Sequence, residues 1–136
     1  MLRQRQNGEK IEVFDPIRKR WVPLTEEEKV RQFLISYLIN EKRIPASHIS
    51  VERKIIVNGL TKRYDLVVFD SAGVPAIVIE CKAPHVAITQ KVFAQAGRYN
   101  KTLRAPVIGV SNGKSNYFFK IDFETEAIEI LPDFFI

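Results

Sequence analysis

The chain has 136 residues, 46% of them hydrophobic, with a formal net charge of +5 and a sequence pI of about 9.4. That is one domain's length with enough apolar mass for a buried core, which excludes an intrinsically disordered chain. One cysteine, Cys81, and two histidines, His48 and His85, exclude an intramolecular disulfide and a cysteine-based zinc cage.

The basic excess fits a phosphate-bearing partner, because Lys and Arg displace the counterions of nucleic acid. The cysteine usage fits a reducing, cytoplasmic compartment. Residues 1–10 are polar and lack the apolar stretch of a signal peptide. No apolar run approaches the roughly 20 residues of a membrane span, so no membrane partner is expected.

Residues 1–24 read as an irregular arm with a short strand over 11–14, punctuated by Pro16 and Pro23. Its basic residues, Arg3, Arg5, Arg18, Lys19 and Arg20, read as a solvated charge run or as contacts to a DNA backbone. The folded domain is expected over 25–136. Thr25 is placed to cap a helix, with Glu28 at the capping-box position. Val30, Phe33, Leu34, Tyr37 and Leu38 recur at helical spacing, and the helix runs to about Asn40.

Two apolar runs, 50–57 and 63–69, then flank Asn58-Gly59, a hairpin signal because a type I′ turn needs positive φ at both central residues. A second turn at 70–73 leads to a strand over 75–82, apolar on both faces as in a sheet centre. A helix over 86–103 presents Val92, Gln95, Ala96, Tyr99 and Leu103 on one face. A buried strand over 106–110, a turn at Ser111-Asn112-Gly113-Lys114 and a strand pair over 117–123 and 127–131 complete the chain. The expected class is α/β (α+β): an αβββαβ core with a mixed central sheet flanked by helices, plus a C-terminal antiparallel pair.

Strand periodicity puts Glu80 and Lys82 on one side of their strand and Cys81 on the other, with Ile77 and Ile79. A carboxylate and an ammonium at the end of a core strand are costly unless compensated. Asp65 interrupts the neighbouring apolar strand in the same way, and pairing of the two strands brings it towards Glu80. Two carboxylates at short range call for a shared proton or a metal ion. Hard oxygen ligands for Mg²⁺ beside a lysine are what phosphodiester hydrolysis requires. Lys82 has two roles open to it, orienting or deprotonating the attacking water, or stabilising charge on the phosphate.

The string Glu-x-Lys is unspecific by itself. It occurs at Glu27-x-Lys29, Glu52-x-Lys54 and Glu80-x-Lys82, and only the third follows an apolar strand with a partner Asp on the strand before it. Neither histidine has a catalytic partner and no Gly-x-Ser-x-Gly elbow occurs, so a serine hydrolase is not expected. His48 and His85 read as loop residues, Cys81 as a buried apolar contact and Asn112-Gly113 as turn chemistry.

In this context the chain resembles the PD-(D/E)XK nucleases, and within them the N-terminal nuclease domain of type I restriction enzyme R (motor) subunits. The resemblance covers about 25–114. It is carried by Glu27-Glu28-Lys29-Val30-Arg31-Gln32, Arg63-Tyr64-Asp65-Leu66-Val67-Val68, Ile79-Glu80-Cys81-Lys82-Ala83-Pro84, Gln95-Ala96-Gly97-Arg98-Tyr99 and Ser111-Asn112-Gly113. It departs from the family pattern at Tyr64, which replaces the Pro of the "PD" pair. The family's helicase-like motor has no counterpart either, since no Gly-x-x-x-x-Gly-Lys-Ser/Thr loop occurs. A stand-alone domain or a fragment is expected.

The resemblance implies a Mg²⁺-dependent deoxyribonuclease, with Mn²⁺ as a substitute, active either alone or only with partner subunits. Asp65, Glu80 and the backbone carbonyl of Cys81 are implied as metal ligands and Lys82 as the catalytic lysine. Glu27 is implied as the first-helix acid, preferred to Glu28 because it shares a face with Val30, Leu34 and Leu38. Gln95 is implied to border the catalytic centre, and Tyr99, Arg98 and Arg63 to contact substrate. Arg31 reads as a helical ion-pair partner of Glu27, and Glu52 as either a supporting acid or hairpin surface. Implied partners are DNA, a motor or specificity subunit, and a second copy in a homodimer. The alternative reading is a catalytically silent nucleic-acid-binding or assembly module with the same fold.

Overall fold

The structure, a computed structural model, describes residues 2–132; Met1 and 133–136, the last four residues of the expected domain, lie outside the described residues. Its main body is a six-stranded sheet in the order β4-β5-β6-β7-β8-β9: β4 (Ile49–Val57), β5 (Leu60–Phe69), β6 (Pro75–Cys81), β7 (Val107–Ser111), β8 (Asn116–Ile121) and β9 (Ile128–Leu131). Neighbours are antiparallel except for β6 and β7, which run parallel. A parallel pair needs a crossover, and helix α2 (Gln90–Leu103) supplies it. The mixed, helix-flanked α+β class expected from the sequence is the fold observed.

Helix α1 (Glu26–Asn40) starts where the sequence directs it, with the Glu28 amide donating to Thr25 Oγ1 at 3.0 Å. Val30, Leu34, Ile35 and Leu38 pack against Leu66, Val68, Ile79 and Cys81 on one face of the sheet. Each such side chain is worth about 1.5–3 kcal/mol on full burial, so this contact rather than the cap fixes the helix. The buried stripe is turned from the expected one: Ile35 is fully buried, whereas Phe33 is 53% exposed. Helix α2 covers the opposite face. Tyr99 and Leu103 pack on Val67 and Val78, and Ala96 packs on Ile108 and Val110.

The Asn58-Gly59 turn has φ of 52° and 77°, as a type I′ hairpin demands. Helix α2 begins at Gln90 rather than Val86, because 83–88 run as a loop whose Val86 carbonyl accepts from Asn112 Nδ2 at 2.9 Å. The larger correction is at the N-terminus. Where the sequence reads as an irregular arm with one strand, an antiparallel three-stranded sheet stands: β1 (Gln4–Asn7), β2 (Lys10–Asp15) and β3 (Arg20–Pro23). Polar β1 gives no alternating signal, but cross-strand pairs hold the sheet. Arg5 Nε meets Glu12 Oε1 at 2.8 Å, and the Arg5 guanidinium lies over the Trp21 ring at 4.4 Å.

Candidate active site

Antiparallel pairing of β5 and β6 matches Leu66 with Ile79 and Val67 with Val78. The following step would match Asp65 with Glu80, and there the ladder ends: the Cys81 amide donates instead to Asp65 Oδ2 at 2.8 Å. Alternation breaks at the same point, since Tyr64 and Val67 share one face while Leu66 lies on the other. On the outer side the β4–β5 ladder skips Glu52 opposite Asp65, and Glu52 has φ of 53°, a costly left-handed conformation for a non-glycine residue. The sheet is thus irregular where three acids converge.

Glu80 is buried, its side chain 10% exposed, and its carboxyl lies beside that of Asp65. Lys82 Nζ approaches Glu80 Oε1 at 3.4 Å. Burial first, and then the Asp65 charge, push the Glu80 carboxyl up to about 8, against the pull of Lys82. Burial and the Asp65 charge likewise raise Glu27, although Arg31 and Lys82 oppose them. The structure brings Asp65, Glu80 and Lys82 together, with Glu27 half-exposed at their edge, whereas Glu28 is the buried acid of the first helix. Cys81 packs its side chain into the core, where burial pushes its thiol up.

The residues expected to border the site stand further out. Gln95 Nε2 donates to Tyr99 Oη at 3.0 Å, and the Tyr99 ring meets Tyr64 edge-on with centroids 5.6 Å apart. Tyr64 is 1% exposed, and its buried hydroxyl has no hydrogen-bond partner among the described residues. Burial and the nearby Glu80 charge raise it. Gln95 and Tyr99 thus reach the carboxylates through Tyr64. Arg98 is exposed and lines a groove of about 360 Å³ with Lys62 and Lys91 beside the β4–β5 hairpin, and Arg63 pairs with Glu52 Oε2 at 3.5 Å.

What the sequence reading missed is a buried charge network. Arg31 is not chiefly the partner of Glu27, which it approaches at 3.8 Å. Its Nη2 donates to Asp65 Oδ1 at 2.8 Å, and its Nη1 to Glu28 Oε1 at 3.2 Å and Glu52 Oε1 at 3.1 Å. Burial works against the Arg31 charge, but Asp65 and Glu28 outweigh it and hold the guanidinium charged. Arg18, read as part of a solvated run, reaches from the β2–β3 turn to Glu28 Oε1 at 2.7 Å and Glu52 Oε1 at 3.0 Å. Its Nε donates to the fully buried Asp15. Glu28 is not a reciprocal capping box; its second oxygen accepts from Gln32 Nε2 at 3.1 Å. Burial opposes ionisation of Glu52, but its bond to Arg31 prevails and lowers its carboxyl. The available signal was Asp15-Pro16, which starts a tight turn: Asp15 Oδ1 accepts from the Ile17 and Arg18 amides.

His85 is exposed and meets Glu26 Oε2 at 3.0 Å. Asn112 makes the expected turn, its Oδ1 accepting from the Lys114 and Ser115 amides. Among the described residues no group of three or more His, Cys, Asp or Glu side chains is arranged to hold a metal ion, and no helix is long and apolar enough to cross a membrane.

No curated protein matches the chain in sequence. A solved structure that it resembles is a fragment assigned to the HsdR subunit of a type I restriction enzyme from Vibrio vulnificus YJ016, at 20% identity and a TM-score of 0.54. The match covers 81% of this chain and 23% of that one, so the chain spans less than a quarter of its neighbour's length. A protein assigned as a DUF820 nuclease from Anabaena variabilis ATCC 29413 aligns over 93% of this chain and 79% of its own, at 12% identity and a TM-score of 0.49, too low to establish a shared fold. The family model for the type I restriction enzyme R protein N terminus (HSDR_N) matches residues 26–134, most of the chain, and the chain belongs to that family.

Proposed function

We propose that the chain is a metal-dependent endonuclease domain that hydrolyses DNA phosphodiester bonds. The observation that carries this reading is the buried Asp65–Glu80 carboxyl pair with Lys82 beside it, at the adjoining ends of two core strands. An acid pushed to about 8 by burial and a second carboxyl is short of positive charge, and a dication would supply it. The donors fit Mg²⁺: Asp65, Glu80 and the Cys81 carbonyl are hard oxygens, and two carboxylates without a full protein cage suit an ion that keeps several waters.

When bound there, Mg²⁺ supplies charge neutralisation at the scissile phosphate and a more acidic water. Asp65 is held at both oxygens, by Arg31 and by the Cys81 amide, so its position is fixed. Lys82, one-quarter exposed, reaches from the buried pair towards solvent, where a phosphate oxygen or attacking water would lie. Tyr64, buried near Glu80 and packed edge-on against Tyr99, walls the α2 side. Arg98 and Arg63 are exposed cations for the DNA backbone. A motor or specificity subunit that delivers DNA, a homodimer that cuts both strands, and a cytoplasmic setting belong to the same reading.

The second reading is a catalytically silent nucleic-acid-binding or assembly module. It is favoured by one feature: Asp65 already has a cation in Arg31, so its charge is answered without a metal. A plasmid-nicking assay with Mg²⁺ on wild type, Asp65→Asn and Lys82→Ala separates the two. Nicking by the wild type alone supports the nuclease; salt-sensitive DNA binding with no nicking, even with partner subunits added, supports the silent module.

A further inference from the structure

Between Asp65 and the N-terminal sheet runs an alternating chain of charges. In spatial order it is Asp15, Arg18, Glu28 with Glu52, Arg31 and Asp65, and each link is 3.2 Å or shorter. Glu28 Oε1 and Glu52 Oε1 each accept from both guanidiniums, so the two acids bridge the two arginines. The arginine side chains are 12% and 6% exposed, well inside the protein. Buried ions of this kind are costly unless the geometry is fixed and every charge is answered.

The chain ends on the carboxylate that the nuclease reading makes a metal ligand. Asp65 has the carboxyls of Glu80 and Glu27 nearby, which disfavour its charge. The planar Arg31 fork answers that charge, contacting Asp65 with one nitrogen and Glu28 and Glu52 with the other. Among the described residues the buried Arg31 Nε has no hydrogen-bond partner, so the side chain is held through its two terminal nitrogens. The acids that anchor Arg31 are in turn anchored by Arg18, which comes from the turn between β2 and β3.

We propose that Arg31 is a positioning residue for the Asp65 carboxylate and that Arg18 is its brace, so that the N-terminal three-stranded sheet is a working part of the metal site. The proposal rests on the nuclease reading, through the role that reading gives Asp65. Arg31 touches neither substrate nor reacting atoms; it acts through Asp65. Each carboxylate oxygen has a second lone pair, so Arg31 on Oδ1 and the Cys81 amide on Oδ2 leave Asp65 free to bind a cation in a fixed orientation.

The test is calorimetric titration of Mn²⁺ into the 136-residue chain, with thermal unfolding measured on the same samples. Outer partners of metal ligands are typically worth about 10–100-fold in affinity, so Arg31→Met is expected to weaken Mn²⁺ binding by roughly that factor. Arg18→Met should weaken it in the same direction but less. Arg31→Lys, which keeps the charge and loses the fork, should recover only part. A merely structural role would lower the melting temperature and leave the affinity of the folded protein unchanged; that result for Arg31→Met, or for Arg18→Met should Arg31→Met not fold, overturns the proposal. Wild type that binds Mn²⁺, with binding lost in Asp65→Asn but unaltered in the arginine variants, overturns the proposal while sparing the nuclease reading. Folded wild type that binds no Mn²⁺ overturns both.

Discussion

The two sides of the sheet support the same pair of carboxyls by opposite means. On the α1 side the support is ionic: Glu27, Glu28 and Arg31 come from one helical turn, and Arg31 reaches Asp65 across a buried network. On the α2 side it is neutral: Tyr64, Tyr99 and Gln95 form an aromatic wall with one internal hydrogen bond. Directional ion pairs fix where Asp65 stands, whereas burial first, and then the Asp65 charge, make Glu80 costly to ionise. Position thus depends on α1, and charge state on how closed the other face of the sheet is beside Glu80.

The comparison yields predictions of graded size. Lys82→Ala and Asp65→Asn, at the junction of the two sides, should reduce nicking most, by about 10²–10⁴-fold, the usual range for a positioned proton-transfer group. Circular dichroism should show both folded. Glu80→Gln sharpens the contrast through pH. The Glu80 carboxyl lies at about 8 in the folded chain against a reference value of 4.5, so the folded state holds this proton more tightly than the unfolded one. Its contribution to stability is full below about 4.5 and is lost as pH rises to about 8. Denaturant midpoints should fall across that window in wild type and less in Glu80→Gln. Mn²⁺ affinity should rise over the same window, since the ion displaces the proton.

Smaller effects are expected from the neutral side. Tyr99→Phe keeps the ring against Tyr64 and loses the bond from Gln95, a change of about 0.5–1.5 kcal/mol in unfolding free energy. It should leave Mn²⁺ affinity nearly unaltered. A large loss of affinity would break the division between the two sides, because the α2 face would then be positioning Asp65 as well.

The sequence was most legible where hydrophobic period and turn chemistry agree. The Thr25 cap, the Asn58-Gly59 hairpin and the apolar β6 strand all announce themselves locally, and together they bring Asp65, Glu80 and Lys82 to one place. It was least legible where a residue's meaning depends on distant partners. Arg18 looks like any surface arginine until the β2–β3 turn carries it beside Glu28 and Glu52, 10 and 34 residues away in the chain. Arg31 has an acid four residues before it, the usual sign of a surface pair, yet its shortest contact is to Asp65, 34 residues on. Strand β1 has no alternating pattern to read, because every residue in it is exposed. Phe33 fits the helical stripe in sequence and faces outward because the sheet meets α1 one position further round.

The measurement closest to the central claim is Mn²⁺ titration into wild type and Asp65→Ala, followed by plasmid nicking on the same samples. The account predicts one saturable binding event in wild type that is lost in Asp65→Ala, with nicking that tracks it. A folded wild type that binds no metal, or nicking that survives in Asp65→Ala, would contradict the assignment of this carboxyl pair as the catalytic centre.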